Sequence, residues 1–403
     1  MKDTVVFVAN GFTKENARLQ PWRYVYELAL HRAGNCKVYV LTEGNEEQYI
    51  EEWEPGLFVI QTCHLNIKAQ EELRSIILAL NPTELWWSTT PRTIAYYPLL
   101  SKIQCKLVAF ITCPLYTWGE LSRASWAKIP FSQTKALWLQ RLVPRSLFKR
   151  MLNKIFIAKV FVQSEKNRVI LQAMGVSEDK VHLLPVGIDK EDIESVDDSV
   201  LDALKVEHTK ITGKVVYLYF GALRPIRGFD ALIEALPGAV LKNPNLHLMV
   251  LARGAEQSTC DNLRQQLSVL NLQDNVTVVG GWLTREEVWA YIEMSDVAVL
   301  PFVLVPSDIP IAVLEAMARG KPVIVSHVDG LPEMARGRGL VVNPLNTQEF
   351  SEQLYLLSTD TERRLMLGQA AKSYMDEYPC WSDIGVMAKE ISSGIVINPS
   401  LQQ

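Results

Sequence analysis

The chain has 403 residues, too many for one ordinary core and suited to two domains of about 200 residues each. Hydrophobic residues make up 48% and charged residues 21%, the balance of a folded globular protein, and a net charge of −4 gives no overall signal for nucleic acid. The six cysteines form no C-x-x-C pair and the six histidines show no ligand spacing, which argues against a disulfide framework or a structural zinc site and for a reducing compartment. No apolar run reaches the roughly 18 residues needed to span a bilayer. The first residues run straight into a strand without a leader-like apolar stretch, so the expected location is the cytoplasm.

In chain order, residues 4–9 read as a strand ending at Asn10-Gly11, and 22–33 as a helix stopped by Gly34. Strands follow at 37–41 and 57–61, then a helix at 70–80 ahead of Pro82, then strands at 85–88, 106–112 and 160–163. A second series has strands at 215–220, 247–251, 276–279, 297–301 and 322–326. Its helices fall at 229–236, 260–270, 286–294 and 311–319. Short apolar strands alternating with helices mark parallel α/β sheets, and two independent series predict two doubly wound halves. The expected division is residues 1–188, an acid-rich linker at 189–205, a second domain at 206–378 and a last helical segment at 379–403. That segment is compatible with either half.

Two strand-loop-helix junctions carry the strongest chemical signal. In the first, a strand ends at Pro301 and a helix begins near Pro310; proline suits a helix's first turn because its missing N–H has no partner there. The free N–H groups of Ile311 and Ala312, with the helix dipole, would make a phosphate site. Glu315, one turn on, could accept from a ribose diol or could sit in an ordinary salt bridge. In the second junction Gly221 permits close backbone approach, and Arg224 and Arg227 bring positive charge to the same sheet edge. They are either a diphosphate clamp or solvated loop arginines.

Together these segments resemble the retaining glycosyltransferases of family four, which have the GT-B fold: two Rossmann-like domains facing across a cleft. The pattern G-R-x-x-x-x-K-G is similar to residues 221–228, with Arg227 where lysine is usual. E-x7-E-A-M-A-x-G-x-P-V-I is similar to residues 307–324, and G-G-x-P-E followed by G-L-L-V to 329–333 and 339–342. Weaker blocks lie at 163–165, 185–189, 276–280 and 295–301. The resemblance covers nearly the whole chain. It implies transfer of a sugar from a UDP- or GDP-sugar to an acceptor, with no metal and no further cofactor. Arg227 would neutralise the diphosphate, Glu315 would hold the ribose, Gly280, Trp282 and Leu283 would line the base pocket, and Gly11 would sit over the phosphates and donor sugar. Three positions depart from the pattern. Ala222 replaces the first arginine, with Arg224 as a substitute; Ser307 replaces the first glutamate, with Asp308 beside it; and Thr112-Cys113-Pro114 stands where many relatives carry a histidine. Asp308 is expected either to contact donor hydroxyls, and so join Glu315 and Arg227 as a catalytic group, or to cap the helix.

Residues 122–154 hold eight basic side chains and no acidic one, interleaved with Trp126, Phe131, Trp138 and Phe148. Arg141, Arg145 and Lys149 recur at helical spacing. Such a segment suits an anionic membrane interface, a basic acceptor groove, or a solvated face around buried aromatics. The leading expectation is transfer to a glycan or lipid-linked acceptor by a protein peripheral on the inner face of the membrane. The alternatives are a non-catalytic glycosyltransferase-like subunit that binds a partner or glycan, and a GT-B nucleotide-sugar epimerase.

Overall fold

The computed structural model describes residues 3–44, 49–62, 65, 67–305 and 307–394, so Cys63, Pro306 and the last nine residues of the expected C-terminal segment lie outside the described residues. The N-terminal sheet comprises β1 (Thr4–Val8), β2 (Lys37–Glu43), β3 (Tyr49–Glu54), β4 (Leu57–Thr62), β5 (Glu84–Ser88), β6 (Lys106–Ile111), β7 (Ile157–Val162) and β8 (Val181–Leu183), in the order β3-β4-β2-β1-β5-β6-β7-β8. All neighbours run parallel except β3, which pairs antiparallel with β4. The second sheet comprises β9 (Val215–Gly221), β10 (Leu246–Arg253), β11 (Val276–Gly281), β12 (Val297–Leu300), β13 (Val323–Ser326) and β14 (Gly339–Val342), all parallel, in the order β11-β10-β9-β12-β13-β14. Both sheets are doubly wound. The strand order reverses between β1 and β5 in one and between β9 and β12 in the other, and a crevice opens there at the strands' carboxyl ends.

The central strands are apolar on both faces because helices cover both faces. Val5, Val6 and Phe7 are buried on β1, as are residues 246–252 on β10. Helix Trp22–Ala33 lies over the first sheet with Tyr24, Leu28 and Ala29 inward, and Tyr24 donates to the Leu184 carbonyl at 2.9 Å. Helix Phe229–Lys242 continues past Pro237, where the sequence predicts a stop, because Leu236 and Ala239 keep one buried face running through the proline. Edge strand β3 is half-exposed and acid-rich, so its sequence carries little strand signal.

The segment expected as linker is partly folded. Asp198–Glu207 is a helix that lies against helix Arg285–Met294. Asp189 ties the halves together by pairing with Arg23 on one side and Arg285 on the other. The C-terminal helix Trp381–Ser393 crosses back to the N-terminal domain. Trp381 meets Tyr24 edge-on and receives the Arg23 guanidinium at 5.2 Å from its ring.

At Gly385 this helix touches helix Trp22–Ala33, and a Cβ there would stand 2.3 Å from His31 Cγ. Overpacking of this kind costs about 1–3 kcal/mol. Gly385→Val should therefore lower the unfolding free energy by about that much, read as a lower urea midpoint with an unchanged m value; an unchanged midpoint would mean that the helix crossing accepts the added methyl groups without strain.

Candidate functional site

The carboxyl ends of both sheets face one another, and the glycines expected in the site stand at both crevices. Gly11 follows β1 at φ +67, beside the Trp22 indole, whose Nε1 donates to the Asn10 carbonyl at 2.8 Å. Gly221 ends β9 at φ +138, and its missing side chain leaves room for Arg227, whose Nη1 would lie 3.0 Å from a Cβ there. Gly228 follows at φ +73 with the Pro301 carbonyl only 1.8 Å from where a Cβ would be. The turn Pro225–Arg227 is thereby pressed onto the end of β12.

Arg227 is half-buried above the Phe302 ring, 5.6 Å from its centroid. Burial pulls its proton affinity down, as do the neighbouring charges of Arg224 and Arg253, while Tyr219 opposes them. Among the described residues no carboxylate pairs with Arg224, Arg227 or Arg253. Three cations therefore meet at the carboxyl ends of β9 and β10 without a counterion. Arg253, the last residue of β10, was not singled out by sequence reasoning, although its place at a strand end is the signal that could have found it.

Helix Ile311–Ala318 starts after Pro310, which gives it no side-chain cap. The Val313 N–H reaches back to the Pro310 carbonyl, while the N–H groups of Ile311 and Ala312 meet no acceptor among the described residues. Glu315 lies half-buried on the next turn. On β11 and the loop after it, Gly280 is exposed, Leu283 half-buried, and Trp282 83% exposed with its ring beside Gly254. The structure thus gathers Gly221, Arg224, Arg227, Ile311, Ala312, Glu315, Gly280, Trp282 and Leu283 on one domain, with Gly11 on the other.

Ser307 and Asp308 stand apart. Asp308 does not cap the helix, so that expectation is corrected; it is fully buried in the seam between the domains. Its N–H donates to the Thr112 carbonyl at 2.9 Å, and its Oδ2 accepts from Asn167 Nδ2 at 2.9 Å. Asn167 also donates to the Cys113 carbonyl and accepts from the Leu115 N–H. Nearby, the Tyr116 hydroxyl accepts from the Val305 N–H at 2.8 Å and donates to the Val305 carbonyl at 3.1 Å. Ser307 is buried with its hydroxyl unpartnered.

Beside Asp308 lies Asp329, also buried, at φ +51, a left-handed conformation that aspartate and asparagine tolerate. As two carboxylates they would leave Asp308 Oδ1 and both Asp329 oxygens without a hydrogen bond. Protonation of Asp329 would let it donate to Asp308. Burial first, and then the charge of Asp308, pushes the Asp329 carboxyl well above the usual carboxylate range. Lys166 Nζ stands 3.7 Å from Asp329 Oδ1 and is engaged by Glu120 at 2.6 Å. Cys113 is pushed up to about 12 by burial and by both acids.

The basic segment is not one stripe. Pro144 separates helix Phe131–Arg141 from helix Arg145–Leu152, so Arg141 and Lys149 sit on different helices. Arg141 lies 4.8 Å from the Trp118 ring, which meets Trp138, and Lys149 lies against Gly175. Exposed here are the apolar Trp126, Phe131, Leu142, Leu147 and Ile155 together with the basic Lys128, Lys135 and Arg150. A hollow of about 640 Å³ opens beside Trp126 and Arg123, against the ends of β13 and β14; Arg224, Arg227 and Arg253 do not line it.

Residues 202–374 match the family model described as glycosyl transferases group 1. A GDP-mannose-dependent α-(1-6)-phosphatidylinositol monomannoside mannosyltransferase of Mycolicibacterium smegmatis is 26% identical over 291 residues, 70% of this chain and 74% of that one. A GDP-mannose-dependent monoacylated α-(1-6)-phosphatidylinositol monomannoside mannosyltransferase of Corynebacterium glutamicum is 29% identical over 169 residues, 40% of this chain and 43% of its own. The chain spans less than half the length of that relative and of two D-inositol 3-phosphate glycosyltransferases, 40% and 46%. Sucrose-phosphate synthase from Thermosynechococcus elongatus superposes with a TM-score of 0.71 at 17% identity, covering 98% of this chain and 99% of its own. Anabaena HepE in complex with UDP gives 0.71 at 16%, covering 98% and 100%. The chain has the GT-B fold and resembles the group 1 glycosyltransferases.

The acid pair gives this GT-B seam a pH dependence. An exposed aspartate titrates near 3.9. Above that value the unfolded chain releases a proton that buried Asp329 retains, so the acid pair's contribution falls as pH rises toward the raised native value. The slope is at most about 1.4 kcal/mol per pH unit for one proton. Denaturation of the wild type and of Asp329→Asn, followed from pH 5 to 8, should show a downward slope in the wild type that the variant lacks. Parallel slopes would mean that the pair holds no extra proton.

Proposed function

We propose that this chain is a glycosyltransferase that moves a sugar from a nucleotide-sugar donor to an acceptor, with retention and without a metal. The observation that carries the reading is the cluster of Arg224, Arg227 and Arg253, without a carboxylate partner, beside the uncapped start of helix Ile311–Ala318. Three cations and two free N–H groups around one crevice suit a diphosphate, which arginine binds with paired hydrogen bonds. Glu315 would take the ribose, and Trp282 and Leu283 the base. The chemistry asks mainly for stabilisation of the departing diphosphate, and preorganised cations and N–H dipoles supply that. The Anabaena neighbour's complex with UDP and the GDP-mannose dependence of the mycobacterial relative support a nucleotide-sugar donor without choosing the base.

The acceptor is proposed to arrive along the N-terminal domain, carried by a lipid or presented at an anionic membrane face from the cytoplasmic side. Supporting this is the exposure of Trp126, Phe131, Leu142 and Leu147 among basic residues. Among the described residues no helix is long and apolar enough to cross a membrane. A non-catalytic, glycan-binding reading is favoured by one observation: Asp308, which would stand beside the donor sugar, is shut inside the seam. Transfer therefore requires the seam to open or the sugar to be held without Asp308.

Removing Arg227 or Glu315 should weaken UDP or GDP binding by about 1.5–3 kcal/mol each, the range for hydrogen bonds to charged groups. Titration calorimetry of Arg227→Ala and Glu315→Ala with both nucleotides measures this. Wild-type affinity in both variants would remove the donor from this crevice.

A further inference from the structure

Arg141 and Arg145 flank the break between helix Phe131–Arg141 and helix Arg145–Leu152, and with Gln140 they are the polar part of one small, otherwise mainly apolar hollow of about 30 Å³ floored by Pro114, Leu115 and Tyr116. Both arginines are half-buried. Arg141 Nε and Arg145 Nη2 are shut off from solvent, and neither has a hydrogen-bond acceptor. Among the described residues no carboxylate pairs with either guanidinium. Burial and the neighbouring charge of Arg145 both lower the proton affinity of Arg141, whose guanidinium lies 4.8 Å from the centre of the Trp118 ring. Two like charges side by side, each with a buried donor left empty, are unfavourable as they stand. An oxyanion supplied from outside would satisfy the N–H groups and remove the repulsion.

We infer that Arg141 and Arg145 form an anion site for a phosphate group on the acceptor side of the cleft. The paired N–H edges of guanidinium match phosphate oxygens. The hollow admits the oxygen-bearing tip of such a group and no more, since one water-sized sphere already takes about 10–15 Å³. Its floor, Pro114 to Tyr116, is the loop whose Leu115 N–H bonds Asn167, and Asn167 in turn holds Asp308. A phosphate bound here would thus lie directly behind the interdomain seam. Leu142 and Leu147, both exposed, stand on the adjoining turns, where a lipid carrying the phosphate could rest its chains. Calling the site an acceptor site rests on the transferase reading above; the anion binding does not.

The test uses the full chain and two probes, inorganic pyrophosphate and vesicles containing phosphatidic acid, with phosphatidylcholine vesicles as control. Arg141→Gln/Arg145→Gln should weaken one class of pyrophosphate binding at least tenfold and leave nucleotide affinity unchanged, whereas Arg224→Gln/Arg227→Gln should do the reverse. Arg141→Lys keeps the charge and loses the paired edge; it should give an intermediate loss, and it serves if the double variant does not fold. Loss of phosphatidic acid vesicle binding in the first variant would assign the phosphate to a lipid, and loss of pyrophosphate binding alone to a soluble phosphate ester. Unchanged binding of both probes in Arg141→Gln/Arg145→Gln and in Arg141→Lys would overturn the site. A chain that keeps this anion binding but transfers no sugar would overturn the proposed function and leave the site standing.

Discussion

The arrangement of this molecule depends on a buried hydrogen-bonded seam between two sheets that would otherwise be independent. Asp308, from the loop after β12, donates its N–H to the Thr112 carbonyl and accepts from the Asn167 side chain, both in the opposite domain. Asp329, from the loop after β13, adds a second carboxyl with no charged partner at hydrogen-bond distance. Burying an unpaired charge is costly enough that a group tends to neutralise instead, and burial raises the proton affinity of both carboxyls here. The other titratable groups around them are Lys166, Glu120, Glu333, Cys113, Tyr116 and Tyr24; of these, only Lys166 brings a positive charge, and Glu120 engages it.

Because the seam crosses near the carboxyl ends of β6 and β12, it sets the two crevices opposite one another. Asp189 and the returning helix Trp381–Ser393 fix the same relation from the far side. Interfaces of this kind between domains are where relative motion is expected. A seam with unpartnered polar atoms, among them the Ser307 hydroxyl and the Gln163 side chain, is less costly to part than a well-paired one. The GT-B frame therefore sets the crevice at β9, β10 and helix Ile311–Ala318 beside a seam that holds Ser307 and Asp308.

Much of this was legible in the sequence. Buried parallel strands are short continuous apolar runs, so most of them, including β1, β2, β4, β9, β10 and β12, could be read within a residue or two. Gly221 at the end of β9 with Arg224 three residues on, and Pro310 before an apolar helix, marked two strand-loop-helix junctions, which the structure brings to the carboxyl edge of one sheet. Strand β3 was not legible, since an edge strand with glutamate at three of its six positions resembles a polar loop. Arg253 was missed although it closes β10, because its place at a strand end was its one signal and no motif accompanies it. The partnership of Asp308 with Asn167, 141 residues apart, depends on how the domains dock and has no local signature. The basic segment was misread as one stripe because charge spacing was followed through Pro144, which ends that periodicity.

The central claim is that a nucleotide diphosphate lies where three arginines meet the start of helix Ile311–Ala318. A crystal of the chain grown with UDP and, separately, with GDP tests it most directly. The account predicts diphosphate density within hydrogen-bond reach of Arg227 and of the Ile311 and Ala312 N–H groups, with the ribose at Glu315. Density in the hollow beside Trp126, with the arginine crevice empty, would contradict it.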